Sequence, residues 1–250
     1  MPSHTAEPEA IPAASRPRAA RNHPSGAVQS VPVGGIAYIS GAMAYPDFTV
    51  FDLRQQFGVR FRAEQLFPDL APVEPSDWLR QSIRIGREVG FNSEKSRSER
   101  LVTPVLLELC ELNHRSFSIH SGMNLDIDPA RGLHGDCDFI CSFSRIQDFI
   151  TAPIFCIAEA KNQDLELGTI QCAAQLIAAR RLNELEKNPI RTIYGCSTTG
   201  IEWRFLKYEG NEFILDEQRY LLSDLPALLG ALQAVVDAAR RVVTDASSPN

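Results

Sequence analysis

The chain lacks the residue patterns that mark the common zinc, nucleotide and membrane chemistries. Its six cysteines form no C-x-x-C pair and none stands at zinc-ligand spacing with a histidine, so a structural zinc site is not expected. Most of those cysteines lie inside apolar segments, where a reduced thiol behaves as a small buried hydrophobe. The five histidines make neither an HxH nor an HxxxH pair, which disfavours histidine-based and zinc-based hydrolysis. No GxxxxGK[ST] phosphate loop is present and no internal repeat is visible. No apolar run is long enough to span a bilayer, and the N-terminus lacks the basic-then-apolar layout of a secretory leader. A cytoplasmic protein with no membrane contact is therefore expected. There is also no basic stripe: the net charge is −6, which argues against strong non-specific binding to a polyanion. That point is not decisive, because carboxylates that hold a cation contribute to the sum, and a bound cation inverts the local field.

What the sequence does contain is a sizeable core. Of 250 residues, 44% are hydrophobic, enough for one large domain or two small ones. Residues 1–34 are rich in Ala, Pro, Ser and Arg without a hydrophobic period, and read as a disordered tail. Its Arg16, Arg18 and Arg21 could brush a phosphate backbone, but a bland leader is the simpler reading. Residues 35–90 read as a small helical and turn-rich subregion, its apolar residues broken up by Pro46, Pro68, Pro72 and Pro75. Residues 91–245 read as the main domain. The spacing predicts a helix over 94–113, kinked or restarted near Thr103 ahead of Pro104. Strands are expected over 116–121, 136–143 and 154–160, then a helix over 169–185. Further strands are expected over 192–198, 202–208 and 213–216, and a closing helix over 225–243. The order α-β-β-β-α-β, with an added hairpin and a C-terminal helix, is that of an α/β fold with a mixed central sheet flanked by helices.

Two of these strands carry charge at the end of an apolar run: Gly135-Asp136-Cys137-Asp138-Phe139-Ile140 and Phe155-Cys156-Ile157-Ala158-Glu159-Ala160-Lys161. Side chains alternate along a strand, so Glu159 and Lys161 project to the same face. Paired as a hairpin, the segments bring Asp138 beside Glu159. Such charges next to apolar neighbours are costly unless something compensates, and a divalent cation is the obvious compensator. Carboxylates holding Mg²⁺ or Mn²⁺, with a lysine to orient water or steady developing charge, suit hydrolysis of a phosphodiester. Asp136 and Asp138 share a face by parity, so spacing does not separate them.

The Asp…Glu-x-Lys arrangement resembles the PD-(D/E)XK nuclease superfamily, which includes many restriction enzymes and recombination nucleases. The likeness extends to Ser93-Glu94-Lys95-Ser96-Arg97-Ser98-Glu99, Ser121-Gly122, Gly132-Leu133-His134-Gly135, and Tyr194-Gly195 through Thr198-Thr199-Gly200-Ile201-Glu202-Trp203. It is similar to an uncharacterised bacterial branch and covers roughly residues 45–230. The proline of the family's name is absent, since Cys137 precedes Asp138; much of the superfamily dispenses with it. The resemblance implies a restriction-endonuclease-like core. It places the catalytic aspartate just before an aromatic-apolar pair, which selects Asp138 over Asp136. It also implies roles for Glu159, for Lys161, for a glutamine on the following helix, here Gln171 with Gln175 one turn on, and for an acidic residue on the preceding helix. Five positions apart, Glu94 and Glu99 cannot both face the site; Glu99 is the expected one, with Glu94 a helix-start charge favoured by the macrodipole. Arg97 is expected to meet a phosphate or a neighbouring carboxylate.

The expected function is thus a metal-dependent nuclease, acting on DNA ahead of RNA, with Mg²⁺ or Mn²⁺ among Asp138, Glu159 and the Ala160 backbone carbonyl, and with a 5′-phosphate left on the product as the resemblance implies. A restriction or other genome-defence setting follows by analogy alone. Helicase or methyltransferase activities would come from partner proteins there, and duplex cutting by one such site calls for a homodimer. The alternative is a catalytically silent nucleic-acid-binding or assembly module with the same fold, which the acidic net charge favours. A metal-dependent hydrolase of nucleotides or other phosphate esters is a third option, without a phosphate loop to support it. Gly195 and the Thr198-Thr199-Gly200 turn read as structural. Trp203 and Phe205 read as core rather than as a base-stacking surface. Arg180, Arg181, Lys187 and Arg191 form a modest basic group expected near the active face, with a solvated helix end as the equal alternative.

Overall fold

A computed structural model describes residues 43–247; the expected disordered tail, with Arg16, Arg18 and Arg21, lies outside the described residues. The described chain is α/β, a seven-stranded mixed sheet flanked by helices. In chain order the elements are α1 (Val50–Phe57), β1 (Arg60–Glu64), α2 (Asp77–Val89), α3 (Glu94–Arg97), α4 (Thr103–Leu112), β2 (Ser118–Asn124), β3 (Asp136–Ser142), β4 (Ile154–Ala160), α5 (Leu165–Leu185), β5 (Ile193–Thr198), β6 (Glu202–Glu209), β7 (Glu212–Leu221) and α6 (Leu225–Ser247). The strands lie in the order β1-β7-β6-β5-β4-β3-β2. The pairs β4–β5 and β1–β7 are parallel and the rest antiparallel.

Each expected strand and helix of the main domain is present, with shifted ends. Helix α5 starts four residues earlier than expected because Asp164 caps it, its carboxylate accepting from the Leu167 amide at 2.9 Å. Strand β7 runs five residues past the expected end. Its alternation is lost at the exposed run Glu217-Gln218-Arg219, where a register shift interrupts pairing with β6. The restart near Thr103 takes the form of a π-helical turn over Ser98–Val102 joining α3 to α4. Pro104 has no amide to give to Arg100. The Arg100 carbonyl instead faces α2 at Gly86, where a Cβ would lie 2.6 Å from it.

The 35–90 segment does not stand apart from the main sheet. Its Arg60–Glu64 stretch is the edge strand β1, paired to β7 from Arg60↔Glu212 to Glu64↔Asp216. It escaped sequence reading because four of its five residues are exposed and its one partly buried apolar side chain, Phe61, stacks on Phe213 at 5.1 Å. A charged, short edge strand of this kind resists pairing with other chains.

The core lies on both faces of the sheet. Helix α5 covers one face, Cys172 and Leu176 packing so close to Gly195 that a Cβ there would lie 2.6 Å from the thiol sulfur. Close approach, not an unusual backbone angle, thus requires this glycine; Gly200, at φ 79°, is where the β5–β6 turn needs the left-handed region. Helices α4 and α6 meet on the other face over Cys141, Ala158 and Cys196. All six cysteines are free thiols, and five are buried. Trp203 and Phe205 are fully buried, as core residues should be. Among the described residues no helix is long and apolar enough to cross a membrane.

Candidate active site

The crossover from β4 through α5 to β5 builds the site. The β3–β4 hairpin pairs Phe139 with Ala158, and one step further along the same register sets Asp138 opposite Glu159. Glu159 pairs with Ser197 of β5, Ser197 with Arg204 of β6, and Arg204 with Arg219 of β7. One row across five strands therefore carries two carboxylates, a serine and two arginines on one face of the sheet, with α5 packed on the β4, β5 and β6 part of that face and Arg219 exposed.

The polar groups of the carboxylate end bond mainly to one another. Asp138 Oδ2 accepts the Ala160 amide at 2.7 Å. Glu159, 2% exposed, accepts from Lys161 Nζ at 2.9 Å on Oε1 and from Gln175 Nε2 at 2.8 Å on Oε2. Lys161 is pinned at its backbone by the Thr198 carbonyl at 2.7 Å, and its Nζ lies 4.0 Å from Glu94 Oε1. Gln175 is wholly buried, and its Oε1 has no hydrogen-bond partner among the described residues. The start of α5 is fastened over the row by Thr169 Oγ1, 2.7 Å from Ser197 Oγ, and by Gly168, whose missing side chain leaves room for Lys161.

Burial and mutual repulsion set the charges. Burial, then the Asp138 carboxylate, pushes Glu159 up to about 7, against the pull of Lys161 and Gln175. Asp138 is also raised, chiefly by burial, which outweighs the Ala160 amide and Lys161. Burial works against the Lys161 ammonium, but Glu159's charge and hydrogen bond outweigh it and its pKa lies above the ordinary lysine value. Asp138, Glu159 and, at 4.0 Å, Glu94 thus share one ammonium, and burial raises both inner carboxylates above their ordinary range.

The Asp138 and Glu159 carboxylates keep acceptor capacity to spare. Each carboxylate oxygen can accept a second interaction beyond the bond it makes. Among the described residues no three His, Cys, Asp or Glu side chains converge as a metal-binding group, and the cluster offers two carboxylates, Asp138 and Glu159. That modest set suits Mg²⁺, which keeps several waters and takes one or two carboxylates.

Sequence reasoning placed Asp138, Glu159 and Lys161 in one cluster, and they meet; Gln175, expected to bind substrate, bonds Glu159 instead. Three other expectations differ from the structure. Glu99 points along the exposed side of its helix towards Lys95, at 3.9 Å, and Glu94 is the acidic residue that approaches Lys161. Glu94 leads a helix end next to the site, whereas Glu99, five residues on, falls on another side of the helix. Gln171 is buried on α5 but makes no hydrogen bond to either carboxylate among those of the described residues; the contact belongs to Gln175. Arg97 is a clamp, not a free cation. It donates to Asn162 Oδ1 at 3.0 Å and the Thr199 carbonyl at 2.9 Å, and lies 5.0 Å over the Phe91 ring. The expected basic group also disperses into protein contacts: Arg180 with Glu184 and Tyr208, Arg181 with Asp128, Arg191 with the Asn188 carbonyl. Missed altogether were Arg204 and Arg219. Arg204 could have been found from its alternation with Trp203 and Phe205, which sends it to the Glu159 face.

No protein-family model matches the chain, and no curated protein does.

Proposed function

We propose that the protein is a metal-dependent nuclease with a restriction-endonuclease-like core, hydrolysing phosphodiester bonds in DNA. The observation that carries this reading is the placement of Asp138 opposite Glu159 at the end of a central hairpin, with Lys161 bonded to Glu159. Asp138, Glu159 and the Ala160 carbonyl would hold Mg²⁺ or Mn²⁺. When bound, the ion supplies Lewis acidity at the phosphoryl oxygen and acidifies a water. Gln175 fixes the rotamer of Glu159 so that its carboxylate stays aimed at Asp138. Lys161, positively charged at neutral pH, orients the incoming water and stabilises negative charge that grows on phosphorus-bound oxygen. Glu94, 4.0 Å from Lys161 Nζ, keeps that ammonium at the mouth of the site. Duplex cutting would call for two copies of the chain, and a genome-defence setting with partner proteins remains an analogy.

A silent binding module is the second reading, and one observation favours it: Glu159, Lys161 and Gln175 satisfy one another without a cation. Calorimetric titration with Mn²⁺ separates the two. Binding to the wild type that is lost in Asp138→Asn supports the nuclease, and no binding by either favours the module. For the reaction itself the test is Mn²⁺-dependent DNA cleavage by wild type against Asp138→Asn. Cleavage should fall by roughly 10²-fold or more in the variant. Equal cleavage by both would refute the site.

A further inference from the structure

The far end of the row holds an unexplained feature. Arg204 and Arg219 stand directly opposite each other on β6 and β7, an arrangement that costs stability when two like charges face each other. Arg219 has a partner, donating from Nη1 to Glu202 Oε1 at 2.6 Å. Arg204 has none: its side chain makes no hydrogen bond or ion pair with any described residue, and its Nε is buried without an acceptor. Glu166, in the first turn of α5, and Glu202 are its acidic neighbours, and neither comes within ion-pair distance of it. Burial and the Arg219 charge both bear against the Arg204 guanidinium, and its pKa is lowered. A buried donor left unmet is expensive, and a guanidinium's fork of N–H groups is matched to a tetrahedral oxyanion.

The position of the pair says which oxyanion. Neighbouring strands lie about 4.8 Å apart, so Arg204 sits roughly 10 Å from Glu159 along the row, with Arg219 one strand further. That is the separation of a few phosphates along one nucleic-acid strand, which carries a charge about every 3.4 Å of axis. The row thus runs from carboxylates suited to a cation to arginines suited to an anion. Resting on the nuclease reading above, we propose that Arg204 and Arg219 together bind a backbone phosphate of the substrate strand, a few nucleotides from the bond that is cut.

Such a contact positions the strand without reading its sequence. Arg219 keeps its bond to Glu202 and offers its remaining donors; Arg204, its Nε buried, offers the N–H groups at the end of its fork. The acidic neighbours keep the patch close to neutral overall, which explains why no basic surface marks it in the sequence.

The test is fluorescence anisotropy of labelled single-stranded and duplex oligonucleotides of several sequences. It is run in EDTA so that nothing is cut, over a range of NaCl concentrations. Wild type is compared with Arg204→Gln/Arg219→Gln and with Arg204→Lys/Arg219→Lys, each checked for a wild-type circular dichroism spectrum. The glutamine pair should bind roughly tenfold more weakly at low salt, equally for all sequences, with the slope of log Kd against log salt smaller by about one. The lysine pair should retain the wild-type slope. If the glutamine variant does not fold, the lysine variant still decides, because it should lose affinity through its poorer fork while keeping the slope. Wild-type affinity and slope in the variants, with cleavage intact, would overturn this inference alone. Failure of the wild type to bind any oligonucleotide would overturn the nuclease reading and this inference with it.

Discussion

Glu159 is held by two donors that do different work, one a charge and the other an orientation. Lys161 compensates its ionised form, and Gln175 fixes where its second oxygen points. Removing Gln175 leaves that oxygen buried without its donor, which costs about 1–3 kcal/mol. Gln175→Ala should therefore lower thermal stability by that amount and weaken Mn²⁺ affinity or cleavage by about 10–100-fold, as loss of an orienting partner does at metal sites. Calorimetric titration and melting curves check both; unchanged Mn²⁺ affinity would show that Glu159 needs no such support. At this scale the sequence was informative where strand parity decided the matter. Glu159 and Lys161 follow from alternation along one strand, whereas the choice of Asp138 over Asp136 rests on the family resemblance, since both share a face. The choice between Glu94 and Glu99 did not follow from the pattern, because it depends on which side of the helix packs towards Lys161, and nothing local announces that.

Among the elements, α5 matters most to the site. Its capped start lies over Ser197, and its second turn carries Gln175's predecessor residues close against β4. Gly168 is the tight point: a Cβ there would lie 2.8 Å from Lys161 Cγ and 3.2 Å from Ser197 Cβ. Within a helix, Gly→Ala gains up to about 1 kcal/mol, which offsets part of a typical overpacking cost of about 1–3 kcal/mol. Gly168→Ala should therefore melt within about 2 kcal/mol of wild type while displacing Lys161, so that cleavage falls at least roughly tenfold. Equal losses of folded protein and activity would mean that the glycine serves packing alone. The element order of residues 91–245 was legible because its periods alternate between helix and strand. Strand β1 was not, since an exposed, charged edge strand has no apolar alternation to see, and its place is set by distant β7.

Over the whole molecule, the buried carboxylates make stability depend on pH in an uncommon direction. Glu159's folded value of about 7 lies above its ordinary 4.5. Between those pH values the folded protein keeps a proton that the unfolded chain has released, so stability falls as pH rises through that window. The raised Asp138 adds to the same trend. The stability difference between wild type and Glu159→Gln should shift against wild type by roughly 2 kcal/mol from pH 5 to pH 8 in EDTA, measured by urea unfolding. Mn²⁺ at pH 8 should restore wild type and leave Glu159→Gln unchanged. A difference that does not move with pH would mean that Glu159 is ionised throughout. The fold class and most of the cluster were thus readable from 250 residues; the facing of Arg204 and Arg219 was not, because it arises only when β6 and β7 pair.

The central claim is tested most directly by cleavage of supercoiled plasmid, linear duplex and single-stranded DNA with Mg²⁺, Mn²⁺ or EDTA, by wild type and Lys161→Ala from matched preparations. The expected result is metal-dependent cutting by wild type that falls by roughly 10²-fold or more in the variant, with Mn²⁺ binding retained. Cutting that survives undiminished in Lys161→Ala would contradict the assignment of the site.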